Sequence, residues 1–205
     1  ADPLIYGVYD FSGDFDAYQF YHNSVSISGG PQGIASQTNH PATPGIFYYQ
    51  TVALYRNSSA FFEMKNNSLA NFRSTNANGN NYCFEYSDTV NFISGYNDLY
   101  AANDSLGIYD GNFIPTLSQW QLLYERDQNS ISSDPIYTDV TDDLHPLAGS
   151  PLAGGGTGLT EVTEDIDGDP RDPSAPTIGC YEIAYMPDKI WNGSDRKSTR
   201  LNSSH

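Results

Sequence analysis

The sequence predicts an all-β fold of stacked strands, a β-solenoid, and both its composition and its internal repeats support this prediction. Of 205 residues, 38% are hydrophobic and 17% are charged, while 16 are Tyr and 10 are Phe. Asn, Ser, Thr and Gly supply much of the remainder, which is typical of strands and turns rather than of helices. So many aromatic residues also exclude a disordered chain.

Two pieces of sequence recur in the same order, a tyrosine-rich strand and an asparagine-containing piece. The strand copies are GVYDF, ALYRN, CFEYS and GIYDG, at 7–11, 53–57, 83–87 and 107–111. The asparagine pieces are HNSVSI, NNSLANF and YNDLYAA, at 22–27, 66–72 and 96–102. A unit that cannot cover its own apolar face buries it by stacking on a like unit, strand parallel to strand. An antiparallel β-sandwich with chance repeats is the alternative interpretation.

One stretch departs from the strand pattern and predicts a helix. In LSQWQLLYERDQ, at 117–128, Leu117, Trp120, Leu123 and Tyr124 fall at helical spacing. This indicates a short amphipathic helix near 117–126 that flanks the strands. Thr116 and Ser118 are the candidate N-cap residues.

Three runs near the C-terminal end carry a resemblance to a known family. They are YNDLYAANDSLGIYDGNFIPTLSQWQLLYERDQNSISSDPIYTD, DDLHPLAGSPLAGGG and TEDIDGDPRDPSAPTIGCYE. They resemble the C-terminal part of secreted bacterial right-handed parallel β-helix proteins of the pectate-lyase-like type. The chain departs from that pattern at 152–154 and at Cys180, where the family usually has Ala. The resemblance implies a right-handed parallel β-helix over 1–186 with an irregular end-closing segment. It also implies export by a type IX-type route to the cell surface or the medium.

Both ends of the sequence predict that the chain is a piece of a longer protein. The N-terminus enters a strand pattern at once, without a charged segment or an apolar leader. Residues 187–194 are expected to be a linker to a following domain. Residues 195–205, DRKSTRLNSSH, hold three of the nine basic residues and resemble an in-frame translation of a sequencing adapter. We therefore expect this tail to be non-native.

Charge excludes several classes of partner. The formal net charge of −16 repels phosphate backbones, so we expect no nucleic-acid binding. No apolar run approaches the roughly 18 residues of a membrane helix, so we expect no membrane insertion. Basic residues outside the tail are few and scattered, which makes an acidic polysaccharide a poor ligand for this chain.

The densest group of carboxylates is a candidate calcium site. In EVTEDIDGDPRD, at 161–172, Asp165, Asp167 and Asp169 alternate along the chain. Calcium prefers carboxylate oxygens, although the spacing matches an EF-hand loop poorly. The alternative is a structural turn, in which Asp side chains hold backbone N–H groups and Arg171 pairs with one of them. No other cofactor is predicted.

The sequence favours carbohydrate binding, or support of polysaccharide processing, in an extracellular protein. A non-catalytic surface adhesin and a polysaccharide lyase or glycoside hydrolase with its site on these strands are the alternatives. Catalysis needs two carboxyl groups at a suitable separation, and Glu63 and Glu85 would approach each other only if their strands paired in register. Sugar stacking needs aromatic side chains that point outward. The candidates are Tyr48, Tyr49, Tyr96, Tyr100, Tyr109 and Trp120.

Overall fold

Three short parallel sheets, one helix and two antiparallel strand pairs make up the described fold. The computed structural model describes residues 4–10, 17–28, 50–73, 80–87, 91–102 and 105–183. The first nine strands are β1 (Leu4–Asp10), β2 (Ala17–Tyr21), β3 (Ser24–Ile27), β4 (Gln50–Arg56), β5 (Phe61–Lys65), β6 (Ser68–Asn71), β7 (Asn80–Tyr86), β8 (Phe92–Gly95) and β9 (Asp98–Ala101). They are followed by β10 (Gly107–Tyr109), β11 (Asn112–Ile114), α1 (Leu117–Tyr124), β12 (Tyr137–Asp139) and β13 (Asp143–Pro146).

The chain visits the three sheets in rotation and adds one strand to each before it returns to the first. Sheet A has the order β1-β4-β7-β10-β11, sheet B the order β2-β5-β8 and sheet C the order β3-β6-β9. Pairing is parallel throughout sheets B and C and from β1 to β10 in sheet A. Like strands of successive repeats therefore lie side by side.

The first three tyrosine-rich copies pair in register with one another, and the fourth is shifted by one residue. Tyr9 lies opposite Tyr55 across the β1–β4 pair, and their rings stack with centroids 4.9 Å apart at an interplanar angle of 6°. Glu85 and Ile108 continue the same row on β7 and β10. The predicted parallel pairing of these strands is confirmed.

The asparagine pieces form a buried ladder at the turn between sheets B and C. The Asn67 Oδ1 accepts hydrogen bonds from the Asn23 backbone N–H at 2.9 Å and from the Asn23 Nδ2 at 3.0 Å. The Asn97 Oδ1 accepts the same two bonds from Asn67. The Asn97 Nδ2 then donates to the Asp127 Oδ1 at 3.0 Å. Each rung follows a residue with positive φ, as at Asn66 with φ of 59°, so the left-handed turn aims each carboxamide along the stack.

Two apolar cores lie on opposite sides of sheet C. The main core fills the space between the three sheets and receives the Trp120 side chain of α1, which is 0% exposed. A second, smaller core lies between the outer face of sheet C and the C-terminal segment. Its buried members are Ala70, Tyr137, Leu152 and Ile178.

The helix is present where its pattern predicts it, and it ends slightly earlier than expected. The Thr116 Oγ1 accepts a hydrogen bond from the Gln119 backbone N–H at 3.3 Å, which makes Thr116 the N-cap. Glu125 adopts a left-handed conformation with φ of 52° and ends the helix. Trp120 packs against Phe84 with ring centroids 5.0 Å apart, so the helix completes the main core rather than flanking it.

The predicted fold class, an all-β right-handed parallel β-helix or solenoid, is wrong. The structure is a mixed arrangement of several parallel sheets, antiparallel pairs and a helix that belongs to the main core. The prediction extended the repeats of 7–111 over the whole of 1–186. In sheet A parallel stacking stops at β10, because β11 runs antiparallel to β10 and the chain then enters the helix. Beyond the helix, within the described residues, sheet C gains only an isolated parallel bridge, between Asp98 and Ile131.

Turns rather than strands dominate the described part of the chain after the helix. Within 125–183, the regular elements are the antiparallel pair β12 and β13 and two isolated bridges, one from Ile131 to Asp98 of β9 and one between Glu164 and Pro170. This layer covers sheet C through contacts such as the bond from Tyr137 Oη to Ser68 Oγ, at 2.7 Å. The predicted linker at 187–194 and the predicted tail at 195–205 lie outside the described residues.

Candidate functional site

The outer face of sheet B presents a group of polar side chains in neighbouring strands. In β5 the side chains alternate, so Phe62 and Met64 are buried while Glu63 and Lys65 point outward. The register places Gln19 opposite Glu63 and Tyr21 opposite Lys65. Because in-register residues of a pleated sheet share a face, four polar side chains lie together. We call Gln19, Tyr21, Glu63 and Lys65 the polar quartet.

Glu63 is the centre of the polar quartet. Its Oε2 accepts a hydrogen bond from the Tyr21 Oη at 2.6 Å. Its Oε1 lies 2.6 Å from the Lys65 Nζ, and the two side chains are 16% and 28% exposed. The carboxylate is thus held from two sides by donors on two strands, and the quartet is ordered before any ligand arrives.

Two members of the quartet, Glu63 and Tyr21, have shifted pKa values. Hydrogen bonds from Lys65 and then Tyr21 lower the pKa of Glu63, against the opposing effect of burial. Burial, followed by the hydrogen bond to Glu63, raises the pKa of Tyr21 above its ordinary value. Glu63 is therefore an ionised acceptor and Tyr21 a protonated donor, a pairing suited to binding hydroxyl groups rather than to proton transfer.

Apolar side chains flank the quartet on the same face. Phe61 lies two residues before Glu63 on β5, so its side chain is on the same face, and it is 37% exposed. Ile93 lies opposite Glu63 on β8 and is 46% exposed. A surface with ordered polar groups between exposed apolar side chains can contact both the hydroxyl groups and the C–H faces of one ligand.

No family model, no curated protein and no solved structure matches this chain. The assignment of a function to the quartet therefore depends on its chemistry. Among the described residues, no helix is long and apolar enough to cross a membrane.

The two glutamates that the sequence suggests as a catalytic pair are not brought together. Glu63 lies on β5 in sheet B, where its partners in register are Gln19 and Ile93. Glu85 lies on β7 in sheet A, between Tyr55 and Ile108. The condition on which their approach depended, pairing of their strands in register, is not met, because the two strands belong to different sheets. The repeats also contain Asp14, Asp16, Asp88 and Asp104, which lie outside the described residues.

The aromatic residues considered for sugar stacking mostly serve packing. Trp120 is fully buried, and Tyr109 packs edge-on against it with ring centroids 5.7 Å apart. Tyr100 packs against Phe72 with ring centroids 5.5 Å apart. Tyr48 and Tyr49 lie outside the described residues. Sequence reasoning missed Phe61, although the alternation in FFEMK contained the signal that would have placed it beside Glu63.

The proposed calcium ligands form a hydrogen-bonded turn. The Asp165 Oδ1 accepts from the backbone N–H groups of Asp167 and Asp169, both at 2.9 Å. The Asp165 Oδ2 accepts from the Glu182 backbone N–H at 2.7 Å. Within the described residues, no group of three or more His, Cys, Asp or Glu side chains is arranged to hold a metal ion. Calcium binding by Asp165, Asp167 and Asp169 stays a prediction, and a cation there would compete with these backbone donors.

A histidine joins this turn to the β12–β13 hairpin. The His145 Nδ1 lies 2.5 Å from the Asp143 Oδ1, and the His145 Nε2 lies 2.9 Å from the Asp167 Oδ2. The ring stacks on Tyr181 with centroids 3.6 Å apart. We call these four residues the His145 clasp. A ring that donates to a carboxylate from both nitrogens must be an imidazolium, and the hydrogen bonds to Asp167 and Asp143 raise the pKa of His145.

We expect the His145 clasp to loosen as the pH rises. The pKa of His145 is raised in the folded protein, so its contribution is fully present at low pH and is lost as the pH passes through that raised pKa. Amide exchange of Asp167 and Asp169, measured by NMR at pH values from 5 to 9 after correction for intrinsic rates, should show increasing opening over this range.

In a His145→Gln variant that dependence should disappear, whereas Asp142→Asn, a change at an exposed neighbour, should keep it. Equal pH dependence in the wild type and His145→Gln would contradict the clasp.

Proposed function

We propose that this protein binds a neutral carbohydrate chain, without cleaving it, on the outer face of sheet B. The observation that carries the proposal is Glu63, held ionised by Tyr21 and Lys65 between the exposed side chains of Phe61 and Ile93. Sugar rings present hydroxyl groups at their edges and C–H groups on their faces. The polar quartet supplies acceptors and donors for the former, and the flanking side chains contact the latter.

The charge of the chain favours a neutral ligand over a uronic-acid polymer. The formal net charge is −16, so an acidic polysaccharide meets repulsion at long range. The Lys65 ammonium group is engaged by Glu63 at 2.6 Å and does not offset this repulsion. A neutral glucan, mannan or xylan has no such penalty.

The same geometry favours binding over reaction. A glycosidase needs a protonated carboxylic acid and a second carboxylate about 5–10 Å away. Glu63 has a lowered pKa, which is the opposite of what a general acid requires. A lyase needs a group that accepts a proton, and the raised pKa of Tyr21 opposes that role. The lyase and hydrolase alternatives therefore have less support than non-catalytic binding.

An extracellular or cell-surface location is part of the proposal. It rests on the sequence resemblance to exported bacterial proteins, and a glycan-binding surface adhesin fits the same site. Support of polysaccharide processing by another chain or domain fits it equally, because the quartet needs only to hold the polymer.

Binding should be tested with Glu63→Gln and Phe61→Ala against soluble β-glucan, mannan, xylan and polygalacturonate. Hydrogen bonds to a charged group contribute about 1.5–3 kcal/mol, so Glu63→Gln should weaken binding of a neutral polymer about 10- to 100-fold. Phe61→Ala should weaken it less, since it removes only apolar contact. Affinity gel electrophoresis followed by isothermal titration calorimetry measures both effects.

Matched controls lie on other surfaces of the molecule. Asp142→Asn removes an exposed acidic group, and Leu122→Ala removes an apolar side chain that is 79% exposed on the helix. Both should bind like the wild type. The proposal fails if none of the neutral polymers binds, or if binding survives both Glu63→Gln and Phe61→Ala unchanged.

A further inference from the structure

A buried histidine joins the C-terminal part of the described chain to the turn between sheets B and C. His22 lies between β2 and β3, is 4% exposed and has a positive φ of 52°. Its Nε2 is 2.8 Å from the Asn66 Nδ2, and its Nδ1 is 3.3 Å from the Gly179 carbonyl oxygen. The ring therefore connects two turns that are far apart in sequence, and it belongs neither to the polar quartet nor to the His145 clasp.

The Asn66 carboxamide fixes the position of the proton on this ring. Its Oδ1 accepts a hydrogen bond from the Thr157 backbone N–H at 2.9 Å, and its Nδ2 donates to the Thr157 carbonyl oxygen at 2.7 Å. A flipped carboxamide would place two donors and two acceptors against each other, so the Nδ2 must face His22. The His22 Nε2 is therefore an unprotonated acceptor, and the Nδ1 carries the proton that is donated to Gly179.

A cation binds the same carbonyl oxygen as His22. The Arg171 Nη2 donates to the Gly179 oxygen at 3.1 Å. Burial, followed by the charge of Arg171, lowers the pKa of His22 to about 4. A proton on Nε2 would point at the Asn66 Nδ2, which is itself a donor, and would add a second positive charge near Arg171. The observed contacts are therefore compatible with the neutral ring alone.

We propose that His22 is an acid-sensitive latch, whose protonation at Nε2 releases residues 156–182 from the turn between sheets B and C. Asn66 cannot turn its carboxamide to accept the new proton without losing both of its bonds to Thr157. The latch is defined by His22, Asn66, Thr157 and Gly179, and it has one closed form, in which the ring is neutral.

Release changes what the segment covers. Two further bonds join it to the same turn, from the Gly179 N–H to the Asn66 carbonyl oxygen at 2.7 Å and from the Cys180 N–H to the Ser24 Oγ at 3.0 Å. Both are lost in the open form. Ile178, a member of the smaller core that is 1% exposed, becomes accessible with them. The open form thus presents an apolar surface that the closed form hides.

The other ionisable groups near Arg171 respond differently to acid. Burial raises the pKa of Glu182, so a falling pH protonates it first in the closed form and favours that form. Burial opposes ionisation of Asp165, but backbone N–H donors outweigh it and lower the pKa, so its contribution is lost only below about pH 4. His145 is strongest as a link in acid, because its pKa is raised. Opening between pH 6.5 and pH 4 is therefore assigned to His22, while the His145 clasp stays closed.

Amide exchange measures the latch directly. Once exposed, His22 has the ordinary pKa of 6.5, so opening takes up a proton between pH 6.5 and about pH 4. The equilibrium constant for opening should rise about 100-fold between pH 7 and pH 4. NMR exchange rates of the Gly179 and Cys180 amides, corrected for intrinsic rates, give this constant. The amides of Leu54 and Met64 in the main core should show no such rise.

His22→Asn is the variant that decides the proposal. Asparagine accepts the positive φ, and its Nδ2 replaces the Nδ1 donor, but it takes up no proton. Opening at Gly179 and Cys180 should then be independent of pH. The matched control is His145→Gln, which removes a different histidine and should keep the rise. A rise that persists in His22→Asn would overturn the latch, as would core amides that open in step with Gly179, since the whole protein then unfolds.

A measurement on the wild-type protein applies if His22→Asn does not fold. The nitrogen-15 chemical shifts of the His22 ring should report a neutral ring with its proton on Nδ1 at pH 6, where an exposed histidine is mostly protonated. An imidazolium at pH 6, or a neutral ring with the proton on Nε2, contradicts the latch. A flat pH profile for the wild-type Gly179 and Cys180 amides rejects it independently of any variant.

Discussion

An Asp98→Asn variant should be much more stable than the wild-type protein at pH 8, and the difference should shrink as the pH falls towards 4. Asp98 is 0% exposed, and burial raises its pKa from 3.8 to about 8. Its Oδ1 accepts a hydrogen bond from the Ser133 backbone N–H at 3.1 Å, and its Oδ2 lies 3.2 Å from the Ser68 Oγ. Asparagine keeps one acceptor and one donor in these places, as the protonated carboxyl group does.

Proton linkage gives the direction in which the free energy of unfolding changes with pH. Between pH 4 and pH 8 the folded protein keeps a proton on Asp98 that the unfolded chain has released. The free energy of unfolding therefore falls as the pH rises through this window, by up to about 5 kcal/mol for a shift of this size. In Asp98→Asn this loss is absent.

Urea unfolding followed by tryptophan fluorescence at pH values from 4 to 9 measures the effect. Asp142→Asn is the control, since it removes an exposed carboxylate and leaves the buried one. Parallel pH profiles for the wild type and Asp98→Asn would show that Asp98 titrates at an ordinary pKa, contrary to its burial.

Arg171→Met should destabilise the protein by about 3–5 kcal/mol, the cost of leaving one member of a buried ion pair alone. The Arg171 Nη1 lies 3.3 Å from the Glu182 Oε2, and both side chains are 3% exposed. The Arg171 Nη2 also donates to the Gly179 and Cys180 carbonyl oxygens, at 3.1 and 3.0 Å. Removal of the guanidinium leaves a buried carboxylate and two carbonyl groups without these donors.

Burial acts against both charges of this pair, since it lowers the pKa of Arg171 and raises that of Glu182. The double variant Arg171→Met and Glu182→Met should therefore recover part of the stability lost in Arg171→Met. Arg73→Met, at a half-buried position outside this network, should change the free energy of unfolding by less than about 1 kcal/mol. Urea denaturation at pH 7 compares the four proteins, and an unaltered midpoint in Arg171→Met would exclude a stabilising role for the pair.

The strands and the helix were predictable because their signals are local and repeated. Alternation in ALYRN and CFEYS, and the helical spacing of Leu117 and Trp120, follow from side chains that must reach the same core. The fold class was not predictable in this way, because after β11 the chain forms a helix and then mostly turns rather than further long strands. Turns there are fixed by single contacts, such as the Asp165 carboxylate on three backbone N–H groups, which periodicity does not reveal.

The polar quartet could not be predicted from the sequence, for a different reason. Tyr21 and Glu63 are 42 residues apart, and the register that joins them depends on how β2 and β5 pair. The alternation in FFEMK shows that Glu63 and Lys65 share a face, but it does not identify the strand that pairs beside them. Sequence reasoning compared Glu63 with Glu85, and only the assignment of β5 and β7 to different sheets corrects that comparison.

The segment around Gly179 has a consequence for the order of folding. The Gly179 backbone N–H donates to the Asn66 carbonyl oxygen at 2.7 Å, and the Cys180 backbone N–H donates to the Ser24 Oγ at 3.0 Å. The second contact closes a loop of 156 residues. Contacts of such high sequence separation form late and slow the search for the native state. During synthesis, the outer face of sheet C therefore stays uncovered until almost all of the described residues have been made.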